Sequence, residues 1–370
     1  MSSIYVGMDV HKESITVAVL PAGAAAPTQV DRLPNEEGAL RRYLGRVATA
    51  GPLQVCYEAS GAGFVLQRAL TTWGHVCTVI APSLIPTKPG VQRKHDRYDA
   101  AQLARLFRAG ELTAVRVPSP AEEQVRDLVR CRETLQRELL QSKHYLLKFL
   151  TRRGHVYRAG QHWTQGHLAW LETLGSAASP LEGDDRVVFD EYLALYHYKH
   201  DRRVALDRAI AERAAAPALA PAIGRLQCFR GIQTHTAMVL ATEIGDWRRF
   251  ATAGQLMAYL GLVPREHSSG ARERKGAITK AGNSHCRHVL VQAAWSYRHR
   301  PKVAAALRAR QRAQPASVVA HTWKAQHRLH EVFQHLAYRK ESRIAVVAVA
   351  RELVGFLWAV MREPALGPAT

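Results

Sequence analysis

"IYVGMDVHKESITVAVL", residues 4–20, holds two β-rich runs, 4–10 and 14–20, separated by the polar triplet His11-Lys12-Glu13. Apolar, β-branched stretches on both sides of a short polar break predict a hairpin. On the C-terminal side, "TQVDRL" (28–33) reads as a third strand. "NEEGALRRYLGRVATA" (35–50) has apolar residues at helical spacing, with Asn35 as the expected N-cap and Glu36 and Glu37 in the first turn. "LQVCYEA" (53–59) reads as a strand, "GFVLQRALTTWG" as a helix closed by Gly74, and "HVCTVIAP" as another strand. A helix follows in "HDRYDAAQLARL" (95–106).

Three strands, helix, strand, helix, strand and helix is the order of a ribonuclease-H-like α/β domain, expected here over residues 1–117. The pattern then changes. Val125, Leu128, Val129, Leu135, Leu139, Leu146, Leu147 and Leu150 recur at three- and four-residue steps, which predicts one long amphipathic helix in a coiled coil or bundle. It opens a helical middle section, 118–220, whose aromatics Trp163, Trp170, Tyr192, Tyr196 and Tyr198 suit either a core or a stack of bases. Pro217 and Pro221 mark the boundary to an α-rich C-terminal domain, 221–370. Its opening, helix, Gly231, helix, fits either a helix–hairpin–helix element that holds a DNA phosphate or an ordinary αα-hairpin. The fold class is therefore α/β plus all-α.

The chain has 370 residues, 51 Lys and Arg against 31 Asp and Glu, and a formal net charge of +20, with 47% hydrophobic residues. That is enough apolar material for two or three cores, so the chain is not a disordered polycation. The charge points to a polyanionic partner, because neutralising phosphates releases counterions. The five cysteines form no CxxC pair, which argues against a zinc or disulfide framework and fits a reducing cytoplasm. The apolar run near the C-terminus is broken by Arg351 and Glu352 and reads as a packed helix, not a membrane span. No secretory signal is expected from "MSSIYVGMDV".

Acids stand out against this basic background. Asp9 lies inside the first strand, where burying a carboxylate is costly unless it meets positive charge. Glu58 ends the strand at 53–58, and Asp96 and Asp99 share one face of a helix start. Singly, each has an ordinary reading: a turn, a strand end, a cap, or a favourable site on the helix dipole. In the ribonuclease-H-like order the four converge, and an all-oxygen donor set suits Mg²⁺ or Mn²⁺ for phosphodiester chemistry.

Residues 265–310 carry eleven Lys or Arg against Glu266 and Glu273. In their midst Ser268, Ser269 and Gly270 are open to three readings: turn, phosphate contact or nucleophile. A helix capped near Asn283 or Ser284 follows.

Together, "YVGMDVHK", "YEASGAG", "HDRYDAAQLARL", "FRGIQTHTAMVLATEIGDWRRF" and "GLVPREHSSGARERKGAITKAGNSHCRHVL" resemble the bacterial insertion-sequence transposases of the "one-ten" family. The resemblance implies a RuvC-like DEDD domain with Asp9, Glu58, Asp96 and Asp99 on Mg²⁺, and a C-terminal transposase domain with an active serine. That serine falls on Ser269, with Ser268 beside it. Arg272, Arg274, Lys275, Lys280 and Arg287 become expected phosphate or transition-state contacts. The resemblance further implies strand cutting and rejoining through a phosphoserine link, a structured guide RNA, a homo-oligomer (dimer or tetramer) that can share active sites between subunits, and a bacterial, nucleoid-associated location. Two rivals use fewer of these features. A metal-dependent, junction-resolvase-like nuclease needs the acids but no serine, and a non-catalytic nucleic-acid-binding protein needs neither.

Overall fold

The β-rich runs flanking residues 11–13 do form a hairpin. In the computed structural model, which describes residues 2–86, 96–176, 180–266 and 275–362, β1 (Ile4–Val10) pairs antiparallel with β2 (Ser14–Pro21), and β2 with β3 (Gln29–Pro34). Helix α1 (Glu37–Ala48), β4 (Leu53–Glu58), α2 (Val65–Thr72), β5 (Val76–Ile80) and α3 (Asp96–Arg108) follow in the expected alternation. Strand β4 joins β1 in parallel and β5 joins β4 in parallel, giving the five-stranded order β3-β2-β1-β4-β5.

Strand β1 is therefore central, and its alternation feeds both faces. Val6 and Met8 face α1 and α2, in one cluster with Leu40, Tyr43, Leu44, Tyr57 and Leu70. Tyr5 and Gly7 face α3: Tyr5 stacks edge-on against Phe107 at 6.0 Å, and Ala100 and Ala104 pack with Ala18 and Leu20 of β2. Asn35 is not the N-cap of α1. Glu36 occupies that position without a side-chain bond, and Asn35 Nδ2 instead donates to the carbonyls of His11 (2.8 Å) and Lys12 (3.3 Å). An amide that can close the neighbouring hairpin has stronger partners there than at the helix end.

Contacts divide the chain into two compact units, Met1–Ser119 and Pro120–Thr370. Within the second, α4 (Pro120–Arg152), α5 (Gln165–Leu174), α6 (Gly183–Ala214), α7 (Ala220–Gln227), α8 (Thr234–Ile244) and α9 (Ala253–Tyr259) precede a small antiparallel pair, β6 (Pro264–Glu266) and β7 (Lys275–Ile278). Helices α10 (Ser284–Ala294), α11 (Ala305–Gln311), α12 (Ala316–Ala337) and α13 (Ser342–Arg362) complete it. Helix α4 packs along α6, with Arg132 bound to Asp207 at 2.7 Å and Arg153 to Asp185 at 2.6 Å. Residues on both sides of the expected boundary at 220 share one core, in which Val129, Ile210 and Ala214 lie with Leu226, Phe229 and Met238. Trp163, Trp170, Tyr192 and the buried Tyr196 pack inside the unit, while Tyr198 is exposed. By length and composition α13 could cross a membrane, yet eight of its residues, Ala345 to Val360, are buried in the core. All five cysteines are free.

Candidate active site

Two segments far apart in sequence meet at the C-terminal end of β1. Asp9 shares parity with Gly7 and so lies on the α3 face of the sheet, and Asp96 opens α3. The approach of the helix is set by Gly7. A Cβ there would stand 2.3 Å from the Ala100 carbonyl oxygen and 2.5 Å from the Ala104 nitrogen, so α3 rests on bare backbone. This close seating brings the first turn of α3 to the strand end.

There, Oδ2 of Asp9 and Oδ1 of Asp96 lie 3.2 and 3.7 Å from Nε2 of His11. The three donor atoms fall within 4.8 Å of one another. Burial pushes the Asp9 carboxyl above its ordinary value; His11 opposes this by charge and hydrogen bond, while Asp96 and Asp99 add to it. Asp99 thus acts on Asp9 through its charge but lies outside the three-residue group. Glu58 lies outside it as well. As the last residue of β4 it stands one register step beyond the Met8–Tyr57 pair, exposed, with the parity of Cys56, whose Sγ meets the Leu103 carbonyl on the α3 side. Two carboxylates and an imidazole converging on one point, one of them partly desolvated, suit a divalent cation. His11 was not foreseen; its only signal is the Asp-x-His spacing, which puts two potential ligands on one face.

The C-terminal candidates divide differently. Ser268, Ser269, Arg272 and Arg274 lie outside the described residues, as does the Lys275 side chain. What flanks them is well built. Gly261 (φ 63°) and Gly282 (φ 70°) let two backbone segments touch, because a Cβ on either would lie 2.0 Å from a carbonyl oxygen of the other segment. Arg287 Nη1 donates to the carbonyls of Leu260 (2.9 Å) and Ala281 (3.1 Å), clasping the same crossing. Lys280 is exposed, at φ 57°.

Asn283 caps α10 as expected, its Oδ1 accepting from Cys286 N at 3.0 Å. Its Nδ2 donates to Glu243 Oε2 at 2.7 Å. Glu243, on α8, is buried and also receives Arg130 at 2.7 and 3.0 Å, with Arg126 at 3.8 Å. Burial pushes its carboxyl up, but these partners outweigh burial and hold it below the ordinary range. A lone acid inside "TAMVLATEI" was the overlooked signal.

At the same end of α10 opens a cavity of about 560 Å³ lined by Arg132, Glu133, His235, Ser284, His285 and His288 among others. His285 Nδ1 bonds to Glu133. Burial pushes the His235 imidazole down to about 4, with Arg132 and His288 acting in the same direction and Asp207 opposing. Unfolded histidine binds its proton near 6.5, so above that pH this residue has no effect on stability. As pH falls from 6.5 toward 4 the unfolded state takes up the proton first, and stability drops by up to about 3 kcal/mol. Urea unfolding at pH 7.5 and 5.0, followed by tryptophan fluorescence, is expected to show about 2 kcal/mol of it. In His235→Gln the loss should shrink, and an unchanged pH slope in that variant would refute the assignment.

Sequence comparisons bear on both halves. A model of IS110-type DEDD transposases matches residues 6–153, and one of the IS116/IS110/IS902 transposase family matches 224–308. A putative transposase, y4qE, of Sinorhizobium fredii is 37% identical over 367 residues, covering 97% of this chain and 88% of the relative. The chain belongs to the IS110 family of transposases. The transposase for insertion sequence element IS1533 of Leptospira borgpetersenii is 30% identical over 346 residues, with 91% and 98% covered. A probable family 20 transposase of Pseudomonas aeruginosa is 30% identical over 273 residues, with 72% and 78% covered. As a transposase, the protein acts on DNA, cutting and rejoining its strands. A DEDD domain implies divalent metal, and the convergence of Asp9 and Asp96 at the end of β1 agrees.

Proposed function

We propose that this transposase is an RNA-guided recombinase in which Asp9, Glu58, Asp96 and Asp99 of a RuvC-like, ribonuclease-H-like domain hold Mg²⁺, and Ser269 is the nucleophile. The observation that carries the reading is the meeting of Asp9 with the start of α3 at the end of a central strand. The sheet order, antiparallel on the β2–β3 side and parallel on the β4–β5 side, supports the domain assignment. When bound, the metal supplies Lewis-acid charge to a phosphodiester.

The serine step conserves bond energy. Ser269 Oγ bonds to phosphorus, the bond to one deoxyribose oxygen breaks, and that oxygen takes up a proton. A second strand's hydroxyl then reverses the exchange. Arg272, Arg274, Lys275 and Lys280 contact phosphates around this event, and Arg287 holds the crossing at its base. A structured guide RNA supplies sequence choice, leaving the basic protein to read backbone shape. The enzyme works as a homo-oligomer, dimer or tetramer, with its two half-sites drawn from different subunits, at the nucleoid in the bacterial cytoplasm.

Trapping on cleavable DNA tests this. Wild type should leave a covalent protein–DNA adduct, Ser269→Ala none, and Ser268→Ala a normal one. If Ser269→Ala cuts normally and wild type forms no adduct, the protein is a metal-dependent nuclease instead.

A further inference from the structure

We propose that His11 is itself a ligand of the metal centre at the end of β1 and gives that centre a preference for Mn²⁺ over Mg²⁺. This rests on the proposed role of Asp9 and Asp96 as metal ligands.

The placement is specific. Nε2 of His11 lies 3.2 Å from Asp9 Oδ2 and 3.7 Å from Asp96 Oδ1, so all three atoms can address one ion with small side-chain adjustments. Its backbone is fastened on both sides. His11 N donates to the Ser14 carbonyl at 2.9 Å, and its own carbonyl accepts from Asn35 Nδ2 at 2.8 Å. The imidazole is thus presented from a closed turn, two residues beyond Asp9 and on the same face. Asp9 and His11 come from β1 and its turn and Asp96 from α3, so the three donors reach one point from two segments.

Donor chemistry then sets the ion. Mg²⁺ is hard and favours oxygen and retained water, whereas the first-row divalent ions take nitrogen donors with an affinity that rises along the series from Mn²⁺, so an imidazole ligand costs Mn²⁺ less than Mg²⁺. The four acids alone give an all-oxygen site without such discrimination. A rival role for His11, a counter-charge that merely neutralises the acids in the absence of metal, predicts the opposite outcome. Removing it would free the carboxylates and tighten every divalent ion.

The test uses the full chain without nucleic acid. Mn²⁺ binding is followed by electron paramagnetic resonance and Mg²⁺ by competition, for wild type, His11→Ala and Asp9→Asn. The expected result is that His11→Ala weakens Mn²⁺ by about tenfold or more and Mg²⁺ by less than about threefold. Nitrogen hyperfine coupling to Mn²⁺ should be present in wild type and lost in His11→Ala. The imidazole is half-exposed, so its removal takes no packing from the core. Equal or tighter Mn²⁺ binding by His11→Ala, or no nitrogen coupling in wild type, overturns the assignment while leaving the acids in place if Asp9→Asn still abolishes binding. Wild type binding neither ion, or Asp9→Asn binding both normally, overturns the metal reading and this inference with it.

Discussion

An Asp9→Asn transposase is expected to cut DNA on the order of 10³-fold more slowly than wild type while folding normally. Metal ions contribute several kcal/mol of charge stabilisation, and each 1.4 kcal/mol is tenfold in rate. The amide keeps the shape of the side chain and removes the charge that would hold the ion. The same change should leave the fold as stable as wild type or more so at pH 7. Burial and the charges of Asp96 and Asp99 push the Asp9 carboxyl above its ordinary value, so in the metal-free protein its ionised form weakens the native state. Strand cleavage measured beside urea unfolding separates the two effects. Cleavage within about tenfold of wild type would place the ion elsewhere.

Gly7→Ala is expected to destabilise the first unit by about 3 kcal/mol or more, at or beyond the upper end for overpacking. The added methyl meets main-chain atoms of Ala100 and Ala104 at 2.3 and 2.5 Å, and backbone cannot rotate aside as a side chain would. Relief requires α3 to lift from β1, which carries Asp96 away from Asp9. Activity should therefore fall even where the variant remains folded. Gly23→Ala is the control, since a Cβ there meets nothing within 4 Å. Equal urea midpoints for the two variants would show that α3 does not rest on Gly7.

The β-rich runs on both sides of His11–Glu13 and the turns that punctuate residues 21–75 made the hairpin and the strand–helix order legible, because those signals are local in the chain. Likewise, the leucine spacing after Pro120 foretold α4. Contacts between distant segments left little trace. His11 becomes a candidate ligand only once α3 crosses β1, and Asn35 forsakes its helix because a hairpin turn has come within reach. Glu243 finds Arg130 across 113 residues and Asn283 across 40. The four acids were read from order, yet order did not say that Asp9 and Asp96 approach more closely than Glu58 or Asp99.

The buried Glu243 also imposes a timetable on biosynthesis. The first unit can complete its sheet and seat α3 once residue 119 has cleared the ribosome. The second cannot settle early, because Arg126 and Arg130 must await an anion made more than a hundred residues later, and that anion awaits Asn283. A nascent chain paused before residue 243 would carry a finished α/β head followed by a long basic helix whose Arg126 and Arg130 still lack their buried partner.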